Sequence, residues 1–129
     1  MAESIITYEF VDGILYAEAT DELHFDDIIN HYQVLFTDVE FAVGIPALYD
    51  FSKVSHIEGK MEDFEKIAKD MGDKDIITSK AHVAIVVDSA NDTVANVFNA
   101  YSQMMDYTQM DVKVFYSKES ALTWLGNWC

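Results

Sequence analysis

The sequence predicts an α/β fold: an open, mostly parallel sheet with an N-terminal β-hairpin and crossover helices. Three observations carry this prediction. Short apolar runs alternate with stretches of helical spacing, an Asp-Gly pair joins the first two runs, and the only proline, Pro46, opens a central apolar run. Strands that alternate with helices are typical of parallel sheets. At 129 residues the chain has the length of a single domain, and we assign residues 1–129 to it.

The first two strands form the predicted hairpin. Residues Ile5–Val11 alternate between apolar and polar side chains, as in a half-buried strand. Asp12 and Gly13 follow, and this pair is preferred in type I′ turns, which need positive φ at both positions. We expect the second strand over Ile14–Thr20 and a turn over residues 20–24.

A helix is predicted from Phe25, with His24 as its N-cap. Its apolar residues recur at helical spacing, and Asp26 and Asp27 occupy the first turn, where the helix dipole favours negative charge. Asp27 and His31 stand at i, i+4, which predicts an exposed pair on the helix surface. We expect the helix to end near Val39.

The central strand begins at Pro46, because proline is tolerated at the first residue of a strand but not inside it. It reads Ala47-Leu48-Tyr49-Asp50-Phe51. We expect a loop over Val54–Gly59, followed by an amphipathic helix over Met61–Met71.

The second half of the chain repeats the alternation. Lys80–Asp88 reads as a strand buried on both faces, and a helix is predicted from Asn91 to Met105. A last strand over Val112–Tyr116 precedes a helix capped by Ser117.

Charge limits the classes of partner. The net charge is −15, and all eight basic residues are lysines. Residues 1–52 contain eleven acidic residues and no lysine or arginine. Such a surface repels the backbone of nucleic acid, so we expect no nucleic-acid partner. Two interpretations of the negative charge stay open. It serves solubility, or it forms a docking face for a basic protein.

The location follows from the cysteine and from hydropathy. The single cysteine, Cys129, has no partner for an internal disulfide, which favours a reducing cytoplasm. No apolar run approaches the roughly 20 residues of a transmembrane helix. The first residues also lack the basic start of a signal peptide.

Acidic side chains follow two predicted parallel strands. Asp50 and Asp88 arrive at the carboxyl ends, where parallel sheets bind ligands, and together they offer oxygens that suit Mg²⁺. The other interpretation is that each acid caps the backbone of the following loop. No His-x-His, Cys/His or glycine-loop motif indicates zinc or phosphate. We therefore predict no catalytic, cofactor or metal residues.

A soft apolar segment near the end of the third predicted helix contains Tyr101, Met104 and Met105. Methionine and aromatic side chains of this kind occur on adaptable binding surfaces, and equally in ordinary helix cores.

The chain resembles the SpoIIAA-like proteins, the STAS-related group of small bacterial proteins also labelled STAS/SEC14-like. The matching pieces are the hairpin through Asp12-Gly13-Ile14, the helix with His31-Tyr32, and the strands at Pro46–Phe51 and Ala81–Val87. The last matching piece is the C-terminal stretch Val114-Phe115-Tyr116, followed by Ala121-Leu122 and Trp124-Leu125. The pieces occur in the same order over nearly the whole length.

The resemblance implies a binding or regulatory module without catalysis, which acts on a protein partner or on a second copy of itself. Its STAS relatives are switched by a phosphoserine at the start of the helix after the central strand. This chain has Glu58 near that place, with Ser52 and Ser55 further upstream, which predicts constitutive binding. The SEC14 label implies the alternative of a carrier for a small apolar ligand or lipid. A third alternative is an enzyme that uses Asp50 and Asp88.

Overall fold

The structure is a computed structural model that describes residues 6–38, 45–58, 82–104 and 111–126. Its elements run in the order β1 (Thr7–Val11), β2 (Ile14–His24), α1 (Phe25–Phe36), β3 (Ala47–Glu58), β4 (His82–Val86), α2 (Asp92–Met104), β5 (Asp111–Phe115) and α3 (Lys118–Gly126). The helix predicted over Met61–Met71 and the C-terminal Cys129 lie outside the described residues. No helix of the described part is long and apolar enough to span a membrane.

The described strands form one sheet in the order β1-β2-β3-β4-β5. β1 is antiparallel to β2, and the next three pairings are parallel. The predicted mostly parallel sheet with a hairpin at its edge is therefore confirmed. Because β2 to β5 run in one direction, their carboxyl ends lie at the same edge of the sheet.

The hairpin turn has the predicted geometry. Asp12 has φ 51° and Gly13 has φ 80°, so both central residues are left-handed, as a type I′ turn requires. Val11 and Ile14 pair directly on either side of the turn.

The two faces of the sheet have separate cores, because successive side chains of a strand point to opposite sides. One face, the α1/α2 face, is covered by α1 and α2, and its core includes Leu15, Tyr49, Ile85, Ile28 and Phe98. The other face, the α3 face, is covered by α3 over β3 and β4, and its core contains Leu48, Ala84, Val86, Ala121 and Leu125.

Two boundary predictions were wrong, and both concern the same region. The predicted turn over residues 20–24 is the continuation of β2, and the predicted loop from Val54 is the continuation of β3. The two extensions pair with each other up to His24 and Glu58, with register shifts near Asp21. These irregularities break the period-two pattern by which a strand is recognised in the sequence.

The helix starts agree with the predictions. The backbone N–H of His24 donates to Asp27 Oδ2 at 2.9 Å. A carboxylate of the first turn therefore accepts a hydrogen bond from the N-cap residue of α1. Asn91 Oδ1 accepts the N–H of Val94 at α2, and Ser117 Oγ accepts the N–H of Ser120 at α3.

The turn generates a stability prediction at Gly13. A Cβ at this position would meet no atom within 4 Å, so the cost of a side chain comes from its positive φ alone. We expect Gly13→Val to lower the free energy of unfolding by about 1 kcal/mol or more, because a β-branched residue resists this conformation. Urea denaturation measures the change.

Gly126→Val is the matched control, since Gly126 also has open space around a Cβ and has no left-handed φ. We expect this control to cost less than Gly13→Val. Equal losses at the two positions would contradict a turn that depends on positive φ.

Candidate functional site

Two rows of directly paired residues cross the α3 face from β1 to β5. The first row is Glu9, Tyr16, Leu48, Ala84 and Lys113. The second row is Thr7, Glu18, Asp50, Val86 and Phe115. The first row is apolar at Leu48 and Ala84, the second row becomes apolar from Val86 onward, and α3 packs on these apolar residues.

A groove with a volume of about 370 Å³ lies on the polar part of this face. Its lining includes Thr7, Glu9, Tyr16, Glu18, Asp50 and Lys118. Glu9 and Glu18 are exposed, and Asp50 is half-buried. Among the candidate residues from the sequence whose side chains the structure describes, Asp50 alone contributes to the groove.

The electrostatics of the groove are dominated by carboxylates. Glu18 and Asp50 are direct partners on neighbouring strands, an arrangement that places two like charges side by side. Glu9 adds a third acid to the described lining, in which Lys118 is the one cation. Since like charges opposite each other destabilise a sheet, the pair favours a ligand that brings positive charge.

The face of the Tyr16 ring in the groove already interacts with a cation. Lys118 Nζ lies 5.9 Å from the ring centroid, within the range of a cation–π contact. Lys118 is the first residue of α3, so the start of that helix forms part of the groove. The site therefore combines carboxylates with an aromatic surface that accepts a positive group.

Asp50 is oriented by its own strand. Its Oδ1 accepts hydrogen bonds from the N–H of Ser52 at 3.1 Å and from the Ser52 hydroxyl at 2.6 Å. Ser52 thus holds the Asp50 carboxylate in place at the groove rather than lining it itself.

Asp88 behaves as a local cap. Its Oδ1 accepts the N–H of Ala90 at 2.9 Å, as the capping interpretation of a strand-end acid predicts. Among the described residues, the set of carboxylates and imidazoles close enough to share a metal is Glu22, His56 and Glu58, and it contains neither Asp50 nor Asp88.

Ser55 and Glu58 lie on the extension of β3 rather than in a loop before a helix. The Ser55 hydroxyl donates to the backbone oxygen of Asp21 at 3.2 Å, and Asn91 Nδ2 donates to the backbone oxygen of Ser55 at 3.0 Å. Ser55 therefore ties β3 to β2 and to the start of α2. Glu58 stands beside His24 and His56, and it does not line the groove.

The apolar segment is only partly described. Tyr101 and Met104 belong to α2, but their side chains lie outside the described atoms, and Met105 lies outside the described residues. Their role as a binding surface stays a prediction.

His31 was misjudged from the sequence, because it is buried and not part of an exposed pair with Asp27. It is 1 % exposed, and a hydrogen bond of 2.8 Å joins its Nε2 to the Tyr49 hydroxyl. Its ring also makes edge contacts with the rings of Tyr8 and Tyr49, with centroids 5.5 and 5.3 Å away. The spacing from Ile28 to His31 to Leu35 follows the buried stripe of α1, and this was the signal in the sequence.

Burial sets the protonation state of His31. Desolvation lowers the pKa of this imidazole to about 4, because a charged ring would lose its hydration in the core. His31 is therefore a neutral link between α1 and β3 near neutral pH.

The space beside His31 is small. A cavity of about 10 Å³ lies between the sheet and the helices α1 and α2. Its lining includes Ile28, His31, Tyr49, Phe51 and Phe98. Phe51 and Phe98 stack within it at 5.0 Å. This volume is at most that of one water molecule, so an apolar ligand would have to displace these side chains.

The buried histidine generates a prediction about acid stability. The unfolded chain binds a proton at His31 below about pH 6.5, whereas the folded chain does so only near pH 4. The stabilisation from neutral His31 is thus present above pH 6.5 and is lost as the pH falls toward 4. We expect the stability advantage of the wild type over His31→Gln to shrink by about 2–3 kcal/mol between pH 7 and pH 4.5.

Urea denaturation at both pH values measures this difference. His56→Gln is the matched control, since it removes an imidazole that is 54 % exposed. We expect the difference between this control and the wild type to change less between the two pH values than the difference for His31→Gln. A parallel pH dependence for the wild type and His31→Gln would contradict the buried neutral imidazole.

The comparisons with known proteins bear on the fold. No protein-family model matches the sequence, and no curated protein matches it. A crystal structure of an uncharacterized protein from Shewanella loihica PV-4, described as a DUF3478 family protein with a SpoIIAA-like fold, is similar with a TM-score of 0.55. The two share 22 % identity over 93 % of this chain and 91 % of that chain. At this identity the likeness concerns the fold alone, and the chain has a SpoIIAA-like α/β fold.

Proposed function

We propose that this protein is a non-catalytic binding module that holds a basic segment of a partner protein in the groove of its α3 face. The direct pairing of Glu18 with Asp50 is the observation that carries the proposal. A lysine or arginine of the partner would lie between these carboxylates and relieve their repulsion.

Charge complementarity determines the class of partner. The chain has a net charge of −15, and three of the side chains in the described lining of the groove are carboxylates. This field accelerates encounter with basic proteins and opposes nucleic acid and anionic lipid. Tyr16 adds an aromatic ring, and a second cationic side chain of the partner would take the place of Lys118 on it.

Two features of the groove support binding rather than catalysis. Its described lining offers carboxylates, two tyrosines and one lysine, but neither histidine nor cysteine among the described residues. Asp50, the candidate acid from the sequence, is held by two hydrogen bonds from Ser52. This arrangement is a fixed electrostatic surface, and it needs no moving proton to act.

The proposed binding is constitutive and takes place in the cytoplasm. Permanent carboxylates supply the negative charge that a phosphoserine supplies in the STAS relatives. The carrier hypothesis is the weaker alternative, since the cavity beside His31 has a volume of about 10 Å³.

The proposal is tested with a labelled peptide of alternating lysine and valine, compared with a peptide of alternating glutamate and valine. Fluorescence anisotropy measures both affinities. We expect the lysine peptide to bind and the glutamate peptide not to bind. In Glu9→Gln/Glu18→Gln, the dissociation constant for the lysine peptide should rise about fivefold, since each exposed ion pair contributes roughly 0.2–1 kcal/mol.

Asp26→Asn/Glu119→Gln is the control, because it removes the same charge from two exposed positions outside the groove. We expect this variant to bind like the wild type. An equal loss in the two double variants would show that net charge alone attracts the peptide, and binding of neither peptide would overturn the proposal. Analytical ultracentrifugation at the same concentrations shows whether a second copy of the chain occupies the groove instead.

A further inference from the structure

Two imidazoles and two carboxylates meet at the far end of the β2–β3 pair. Glu22 lies directly opposite His56, and His24 lies directly opposite Glu58. Within each strand one residue separates the two, so all four side chains lie on the same face of the sheet. We call these four residues the His/Glu cluster.

The local structure explains why this face is exposed. Leu23 separates the two cluster residues of β2, and Ile57 separates the two of β3. Both apolar residues are buried in the core of the α1/α2 face. The cluster residues therefore point away from that core, and their side chains are 46–54 % exposed. Solvent metal ions reach them directly.

The contacts within the cluster are close to those of a metal site. His24 Nε2 lies 3.2 Å from Glu22 Oε1, and His24 Nδ1 lies 3.5 Å from Glu58 Oε2. On the other strand, His56 Nε2 lies 3.2 Å from Glu58 Oε1. One ligand atom each from Glu22, His56 and Glu58 lie within 4.8 Å of one another.

We propose that the His/Glu cluster binds a zinc ion. Zinc takes imidazole nitrogen and carboxylate oxygen at about 2.0–2.2 Å, so neighbouring ligand atoms of a tetrahedral site lie about 3.4 Å apart. The ligand atoms of Glu22, His56 and Glu58 need to close by about 1.4 Å at most, and half-exposed side chains make this adjustment by changing rotamer. His24 contacts the two carboxylates through different ring nitrogens, so it completes the site by turning one of these nitrogens toward the ion. The two imidazoles select zinc over magnesium and calcium, which prefer oxygen ligands alone.

The cluster lies at the end of the β2–β3 pair, so a bound metal would also stabilise the pairing of these strands. Among the described strands, β3 pairs with β4 only as far as Asp50, and beyond that point the described pairing is a two-stranded ribbon of β2 and β3. Such a ribbon is marginally stable on its own, and its register shifts near Asp21. A zinc ion that takes ligands from both strands fixes their pairing at the end of the ribbon.

Isothermal titration calorimetry tests the proposal, with zinc chloride titrated into metal-free, untagged protein at about pH 7.5, where an ordinary imidazole is neutral. Excess magnesium is present to occupy diffuse acidic sites. The protein carries Cys129→Ser, because a free thiolate is itself a zinc ligand. We expect one zinc ion per chain.

The variants decide whether the ion is bound at the cluster. We expect His24→Gln and His56→Gln each to weaken zinc binding about tenfold or more, which is about 1.4 kcal/mol or more per imidazole lost. His82→Gln is the control, since it removes the one imidazole of β4, outside the cluster. Glu58→Gln should weaken binding more than Glu119→Gln, which removes the same charge from the first turn of α3.

Circular dichroism of the metal-free proteins establishes that each variant is folded. A cluster variant that unfolds is replaced by His→Asn at the same position, which is shorter and keeps an amide. The absence of zinc binding, binding that survives His24→Gln and His56→Gln, or an equal loss in His82→Gln would overturn the proposal.

Discussion

The parallel pairing of β2 with β3 is the interaction on which the rest of the structure depends. Its register places Leu15 beside Ala47 in the core of the α1/α2 face and Glu18 beside Asp50 on the opposite face. The same pairing continues to Glu22 and His56. Because side chains alternate, a slip of one residue would move the apolar set of β2 into solvent, so the burial of the core fixes the register strongly. The acidic groove and the His/Glu cluster are consequences of a register that the core determines.

The sequence predicted those parts of the fold that depend on neighbours along the chain. The Asp12-Gly13 turn requires only two residues, and the start of α1 requires only the spacing from Phe25 and the acids of its first turn. The order of strands and helices then indicated a parallel sheet, since parallel strands need a crossover between them. These signals are local, and the structure confirms them.

The rest of the structure depends on residues that lie far apart in the sequence. Asp50 was predicted at the end of its strand but lies within β3, and its groove exists because Glu18 faces it from a strand whose register no local pattern reveals. His24 and His56 are 32 positions apart, so no zinc motif with fixed spacing includes both. His31 stands on the buried stripe of α1, but its polar ring indicated an exposed position. Its burial depends on the hydrogen bond with Tyr49 of β3, which the sequence does not reveal.

The groove and the His/Glu cluster both attract positive charge, but their chemistry separates the ligands. At physiological ionic strength the Debye length is about 8 Å, so the net charge of the chain acts on any approaching cation with little discrimination. Selection occurs at contact. The groove spreads carboxylates over three strands beside the ring of Tyr16, which suits the long side chains of a basic peptide. The cluster brings imidazole nitrogens within about 3.5 Å of carboxylates, a compact arrangement that suits a single borderline metal ion. The β2–β3 pair therefore contributes to two proposed cation sites of different selectivity, because the groove has oxygen donors and an aromatic face whereas the cluster also has nitrogen donors.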